Sequence, residues 1–411
     1  MFGIRLRSPQ RSLLSGLLLA FLFDLMPLNQ PVLAVEIVLD YTYDSGNFFG
    51  AGNPDGELAG EQARESLESA ASLFSDILTD TFSSIETPAS FSSAVFSGVA
   101  SWSWNLNFNN PASGSTISIT DPTIAVNEYR IYAGARSLGG TTLGVGGPGG
   151  FAWSQGGNGG FFTQSEVDQI DLITEGFASQ VEDREESSGF ANWGGAVSFD
   201  NDSSTDWHYD RDSLPGNGES DFYSVAVHEI AHALGWGASE NWNNWVNGTL
   251  YTGPESVSQF GGDVPLDCNI SGCAHWAEDT QSTIYGTSVE QETVLDPNLT
   301  SGTRKYLTTL DATALDDIGW SLVAPSFSSS DYNYDNDVDG GDLATVQQWY
   351  GINGNADSDN DGDTDGTDFL NWQRQRTGTL NTLVANIPEP TTTGLAMLGI
   401  MLATSCHRKA R

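Results

Sequence analysis

The order of patterns along the chain predicts an α+β protein. A large first domain holds a twisted mixed sheet and a buried site helix, and a small α-helical domain follows. Three observations predict this. Strand-like alternation and helix-like apolar spacing interchange between residues 36 and 234. From Gly235 to Thr308 the chain is loop-rich, with one short helical stretch after it. Beyond residue 330 an acidic motif occurs twice, each copy followed by an apolar, helix-compatible stretch.

The 411 residues allow one large domain and a small one. They carry 54 acidic against 15 basic side chains, a formal net charge of -39. Such a chain repels a nucleic-acid backbone or an anionic membrane surface, so no nucleic acid is expected as a partner. The excess suits a protein that collects Ca2+. Six of the 15 basic residues lie at the ends: Arg5, Arg7, Arg11, Arg408, Lys409 and Arg411. A basic start, an apolar run over 13–28 and the small residue Ala34 read in order as a secretory signal peptide, 1–34. Of three cysteines, Cys268 and Cys273 are close enough in sequence to bridge in an oxidising compartment. Two free thiols are the other reading.

The large domain is expected over 35–324. Residues 36–45 alternate as a first strand. Leu67, Ala70, Ala71, Phe74, Leu78 and Ile85 fall on one face of a helix over 63–85, which Pro88 closes off. Strands are expected over 95–106, 115–119 and 124–133. The glycine-rich stretches 139–150 and 156–160 lack the Gly-Lys-Ser/Thr of a phosphate loop, and tight surface turns are expected there. A helix over 164–179 and a short strand over 196–199 follow. Residues 205–219 form a polar loop carrying His208. A helix over 221–234 has Ser220 as its N-cap and is stopped by Gly235 and Gly237. The last helix of this domain spans 311–318, and the proline- and serine-containing 325–330 reads as a linker.

The strongest chemical signal is His228-Glu229-Ile230-Ala231-His232. Histidines at i and i+4 share one helix face, so two imidazoles can meet one Zn2+, while Glu229 can reach a water on that ion. Val225, Val227, Ile230, Ala231 and Leu234 make the rest of the helix apolar, as a buried site requires. Zinc needs a third protein ligand.

The extended pattern His228-Glu-x-x-His232-x-x-Gly235 resembles the metzincin zinc peptidases. In most of that clan a His or Asp stands three residues after the glycine; here that position is Ala238, which cannot ligate. The best substitute is His275, the only histidine after Gly235 outside the C-terminal tail, with Glu240 and His208 as the alternatives. A distant third histidine resembles the leishmanolysin-like branch, with 242–262 as the insertion. The resemblance also implies a turn beneath the zinc. The run Val294-Leu295-Asp296-Pro297 stands there, with Leu295 in place of the family's methionine.

The expected activity is hydrolysis of peptide bonds in a protein or peptide substrate. Glu229 would act as general base at a zinc held by His228, His232 and His275. Tyr285 and Tyr306 are candidates for an oxyanion donor. Because it precedes the zinc helix as the family's edge strand does, the resemblance implies that strand 196–199 lies at the sheet edge, where an extended substrate would pair. The runner-up is a non-catalytic envelope or matrix protein that retains a metal site, favoured by Ala238 and Leu295.

The acidic repeat, 331–378, has a period of 26 residues. Its first copy places Asp331, Asn333, Asp335, Asp337, Asp339 and Asp342 at positions 1, 3, 5, 7, 9 and 12. Its second places Asp357, Asp359, Asp361, Asp363, Asp365 and Asp368 there. Hard Ca2+ wants this crowd of oxygens, position 7 giving its backbone carbonyl, and two Ca2+ are expected. Helix-compatible stretches with Trp349 and Trp372 follow the loops. The region resembles a dockerin-type domain, which implies Ca2+-dependent folding and docking to a cohesin-like receptor. Asn336 stands where a glycine normally turns the first loop. After a linker at 379–386, residues 387–411 (Ile-Pro-Glu-Pro, a short apolar run, a basic end) resemble a PEP-CTERM sorting tail. That resemblance implies an exosortase-type enzyme, membrane contact only during export and sorting, and delivery to the cell envelope, the extracellular matrix or the medium.

Overall fold

The computed structural model describes residues 34–377, apart from 183, 185–189 and 270–271. The expected leader short of Ala34, the linker at 379–386, the sorting tail and Cys406 lie outside the described residues. All the described residues belong to one compact unit. It is a mixed α+β structure with several sheets. No helix among the described residues is long and apolar enough to cross a membrane.

Strand β1 (Glu36–Asp40) leads into helix α1 (Glu57–Ile77). Gly60, Ala63, Leu67, Ala70, Ala71, Phe74 and Ile77 recur at helical spacing and are all buried. The helix ends at Ile77, short of the expected 85. Thr79, Asp80 and Thr81 are poor helix interiors, and the chain runs on extended until Ile85 bridges Ile124. Phe82 and Ile85 are buried from that extended stretch.

Next come β2 (Phe91–Ser92), β3 (Val99–Asn109), β4 (Thr116–Thr120), β5 (Glu128–Arg136), β6 (Gly144–Pro148) and β7 (Gly150–Gly157). In β3 the residues Ala100, Trp102, Trp104, Leu106 and Phe108 are buried in strict alternation. This strand pairs antiparallel with β2, β4 and β7 in one sheet. Helix α2 (Gln164–Glu182) buries Ile170, Phe177 and Val181 in the same core cluster.

The second sheet packs, through its last strand, against the helix that holds His228 and His232. It runs β1-β5-β8-β6, where β8 is Gly194–Asp200. The strands β1, β5 and β8 are parallel and β6 is antiparallel to β8. Residues 196–199 therefore lie in an interior strand, and the edge belongs to β6, within the stretch expected to be surface turns. A strand of glycines carries no apolar period to read. The glycines serve close approach instead: a Cβ on Gly146 would stand 2.1 Å from the backbone oxygen of Glu229.

The short pair β9 (Trp207–His208) and β10 (Ser220–Asp221) precedes helix α3 (Phe222–Ala233). The N-cap is Asp221, one residue later than expected, and its carboxylate accepts Ser224 N–H and Oγ–H at 3.0 and 2.6 Å. Gly235 ends the helix with φ 100, a conformation that favours glycine. The loop-rich section contains α4 (Glu240–Trp245), β11 (Val246–Asn247), β12 (Leu250–Tyr251), α5 (Pro254–Phe260), β13 (Val264–Asp267) and β14 (His275–Trp276). Its four short strands form one sheet in chain order. The hairpin β15 (Gln281–Thr283) and β16 (Glu290–Glu292) and helix α6 (Thr309–Ile318) complete the large domain. Thr308 and Asp311 form a capping box on α6. The acidic repeat supplies α7 (Gly340–Trp349) and α8 (Gly366–Gln375). At the end of 325–330 Ser330 is buried and its N–H donates to Gln375 Oε1, while Ser326, Ser328 and Ser329 are exposed.

Candidate metal centre

Helix α3 is buried along nearly its whole length. His228 and His232 lie one turn apart, and each has its Nδ1 beside a carbonyl: Val294 O at 2.7 Å and Trp236 O at 2.9 Å. A carbonyl only accepts, so Nδ1 carries the proton in both rings, and a neutral imidazole then presents a bare Nε2. Those two Nε2 atoms are 3.0 Å apart. His275 Nε2, on β14, stands 3.0 Å from His228 Nε2 and 3.1 Å from His232 Nε2. A proton on His275 can serve only one of its two neighbours, so the triangle is not self-satisfied. Nitrogens on one tetrahedral zinc, each bound at about 2.0–2.1 Å, stand roughly 3.3 Å apart. The donor set therefore fits one such ion.

The electrostatics favour the ligating form. Burial first, and then the two neighbouring imidazoles, push the His228 pKa well down. Burial lowers that of His232, and burial with His232 beside it lowers that of His275 to about 3. Each of these shifts favours the neutral, ligating ring.

His275 comes from a braced hairpin. Cys268 and Cys273 are joined as a disulfide between β13 and β14, and Asp267 pairs with His275 across the strands. Beside it, buried Trp276 donates its N–H to Leu295 O at 3.0 Å and its indole N–H to Asp311 Oδ1 at 3.0 Å. The other oxygen of Asp311 accepts from Val294 N–H at 3.1 Å. Asp311 thus ties the segment that backs His228 to the strand that delivers His275. Lys305 anchors the same segment further on, donating to both oxygens of Asp296 at 2.8 and 2.7 Å. Sequence reasoning missed Asp311 and the Lys305–Asp296 pair. The Thr308-x-x-Asp311 capping box was the one local sign of the former.

Glu229 is buried, and burial pushes its carboxyl up to about 8, against the pull of a hydrogen bond from Gly146 N–H. It lies against β6: a Cβ on Gly144 would be 2.4 Å from Glu229 Oε1. Leu295 is fully buried in the main core.

The alternative ligands are elsewhere. Glu240 is exposed in the first turn of α4. His208 is tied within its own loop, Nε2 to Ser213 O at 2.9 Å and Nδ1 to Glu219 at 3.2 Å. Tyr306 packs against Tyr334 of the acidic repeat, and Tyr285 is half-buried near Asp316.

The two acidic loops share one geometry. Asp331 accepts the N–H groups of Asp335 and Asn336, as Asp357 accepts those of Asp361 and Gly362. Positions 4 and 6 are left-handed in both: Tyr334 (φ 56) and Asn336 (φ 67), Asn360 (φ 58) and Gly362 (φ 98). Asn336 thus takes the turn expected of glycine there. Asp342 and Asp368 at position 12 fold back on their loops, accepting from Tyr332 N–H at 2.6 Å and Ser358 N–H at 2.7 Å. Asp339 and Asp365 cap α7 and α8. Carboxylates of Asp357, Asp359 and Asp368, and of Asp363, Asp365 and Asp368, cluster closely enough for a shared cation. In the first loop Asn333 is 4 % exposed and its Oδ1 has no hydrogen-bond partner. A buried lone acceptor among carboxylates asks for a cation. Trp372 is buried with its indole N–H on Asp339 O at 2.6 Å, whereas Trp349 is half-buried.

No protein-family model, curated protein or solved structure matches this chain.

Proposed function

We propose that the chain is an exported zinc-dependent endopeptidase of metzincin-like fold, with a dockerin-like calcium repeat. The observation that carries this reading is the convergence of three imidazole Nε2 atoms within 3.1 Å, next in sequence to a buried glutamate. His228, His232 and His275 would hold the ion. Zinc in such a site polarises a carbonyl and makes a coordinated water acidic near neutral pH.

The chain's own groups do the rest. Val294 O and Trp236 O fix the tautomer and orientation of the helix histidines. Glu229 takes a proton from the attacking water and returns it to the leaving amine. A nearby cation favours the ionised carboxylate and so counters the burial that raises it. The backbone of β6 pairs with β8 on one side, and its other edge is the place for an extended peptide. Two Ca2+ would be held by Asp331, Asn333, Asp335, Asp337, Asp339 and Asp342, and by Asp357, Asp359, Asp361, Asp363, Asp365 and Asp368. The cohesin-like receptor, the exosortase-type enzyme and the envelope destination rest on sequence resemblance.

The test is Glu229→Gln. Zinc content should stay at the parental level while hydrolysis of a denatured protein substrate falls about 10²–10⁴-fold. A zinc-loaded, folded parent that cleaves nothing across a broad peptide library would favour the non-catalytic metal protein instead.

A further inference from the structure

The two acidic loops are alike in backbone and unlike in surroundings. The first is pressed against the large domain. Buried Arg211 donates from Nη2 to Asn333 O at 2.8 Å, and its guanidinium carbon lies 4.1 Å from the centre of the Tyr223 ring. Tyr223 is the second residue of α3. At position 4 of the loop, Tyr334 holds φ 56, a costly conformation for a bulky residue, and sets its ring 5.0 Å from Tyr306 and 5.2 Å from Phe327. Position 4 of the second loop is the exposed Asn360, and position 3 is the exposed Asp359, where the first loop has buried Asn333.

The segment that meets the first loop is itself bolted to the zinc-site helix. Arg304 donates to the carbonyls of Asp210 and Arg211 and forms a buried ion pair, 2.7 Å, with Asp221. Asp221 is the N-cap of α3. A contiguous path therefore runs from Asn333 through Arg211 and Arg304 to the start of the helix that carries His228.

We infer that calcium in the first loop acts within the molecule. It fixes that loop as a clamp on the N-terminal turn of α3, so calcium occupancy and the rigidity of the zinc-site helix are coupled. This rests on the calcium reading of the loop. Three of its carboxylates, Asp331, Asp335 and Asp342, are wholly or partly buried together with the lone Asn333 Oδ1. Their charges repel without a cation, and the same backbone turn that gathers them presents Asn333 O to Arg211 and the Tyr334 ring to Tyr306. Releasing the ion loosens the turn and with it both contacts. Coupling is reciprocal: what calcium does for α3, an ordered α3 does for calcium.

The experiment is hydrogen exchange of the 205–224 segment in the zinc-loaded full chain, with and without saturating Ca2+, alongside calorimetric counting of bound Ca2+. The variants are Arg211→Met and the matched position-1 pair, Asp331→Ala and Asp357→Ala. Ca2+ should slow exchange at least tenfold in the parent and in Asp357→Ala. Asp331→Ala should lose the effect. Arg211→Met should bind two Ca2+ and yet show less than a twofold slowing. The inference is overturned if the parent's exchange ignores Ca2+, if Asp357→Ala loses as much as Asp331→Ala, or if Arg211→Met keeps the full effect. Should Arg211→Met not fold, the aspartate pair decides alone. A first loop that binds no Ca2+ sinks the calcium reading and the clamp together. Ca2+ that binds without slowing exchange sinks only the clamp.

Discussion

The indole N–H of Trp276 donates to Oδ1 of Asp311 at 3.0 Å, with both residues buried. One carboxylate so placed governs two ligands of the candidate metal centre. It fixes the neighbour of His275 through the indole, and through Val294 N–H it fixes the carbonyl that orients His228. Asp311→Ala leaves these two buried donors without an acceptor and removes the box that caps α6. Each stranded donor costs roughly 1–3 kcal/mol. Zinc affinity should fall about 10–100-fold, the range for loss of an outer partner. Competition with a chromophoric chelator measures it; unchanged affinity in a folded variant would remove Asp311 from the metal centre.

Gly144 and Gly146 should not be interchangeable with alanine, and their failures should differ. A Cβ on Gly146 meets the backbone of α3 at 2.1 Å, so the strand must lift, a cost of about 1–3 kcal/mol for overpacking. A Cβ on Gly144 meets the Glu229 carboxylate at 2.4 Å, so the side chain must move. Gly144→Ala should retain zinc and lose hydrolysis by about tenfold or more, as the proposed role of Glu229 as general base requires. Thermal midpoints, zinc content and kcat/KM for the two variants check this. Full activity in Gly144→Ala would mean that β6 does not position Glu229.

Much of this centre was legible because its signal is local. The i, i+4 histidines and the apolar helix around them need only a few consecutive residues, and His275 was the favoured third ligand by resemblance and position, with Glu240 and His208 left open. The paired loops were legible because they repeat. What escaped depends on tertiary structure. The strand β6 is built largely from glycine, and its meaning lies in what it approaches, so the sheet edge was placed on β8 instead, by resemblance to the edge strand that precedes the zinc helix in metzincins. Asp311 reads as an ordinary first-turn residue until Trp276 and Val294 are brought to it from 35 and 17 positions away. The cap of α3 was placed at Ser220 because serine and aspartate are equally good caps; the ion pair with Arg304 marks Asp221 only in the folded chain.

The first acidic loop should respond to pH in opposite ways with and without calcium. Burial, and then the charges of Asp335 and Asp342, push the Asp331 carboxyl up to about 7. Burial, with the Asp335 charge adding to it, pushes Asp342 up to about 6. These folded values lie above those of an unfolded chain. In chelator the stabilising contribution is therefore fully present below about pH 4 and is lost as pH rises through 6 to 7. With calcium the ion binds the ionised carboxylates, so affinity should drop as pH falls below 7. Exchange protection of 331–342 in chelator should be greater at pH 5 than at pH 8, and the order should reverse in Ca2+. The same order in both buffers would contradict the assignment of these carboxylates to a calcium site.

We propose that three imidazoles, two on α3 and one on β14, hold a single zinc. The most direct test is elemental analysis of the full chain and of His275→Ala, both shown to be folded by circular dichroism. About one zinc per parent chain and a large loss in the variant are expected for a site with three protein ligands. Equal zinc in the two proteins, or none in a folded parent supplied with the metal, would contradict it.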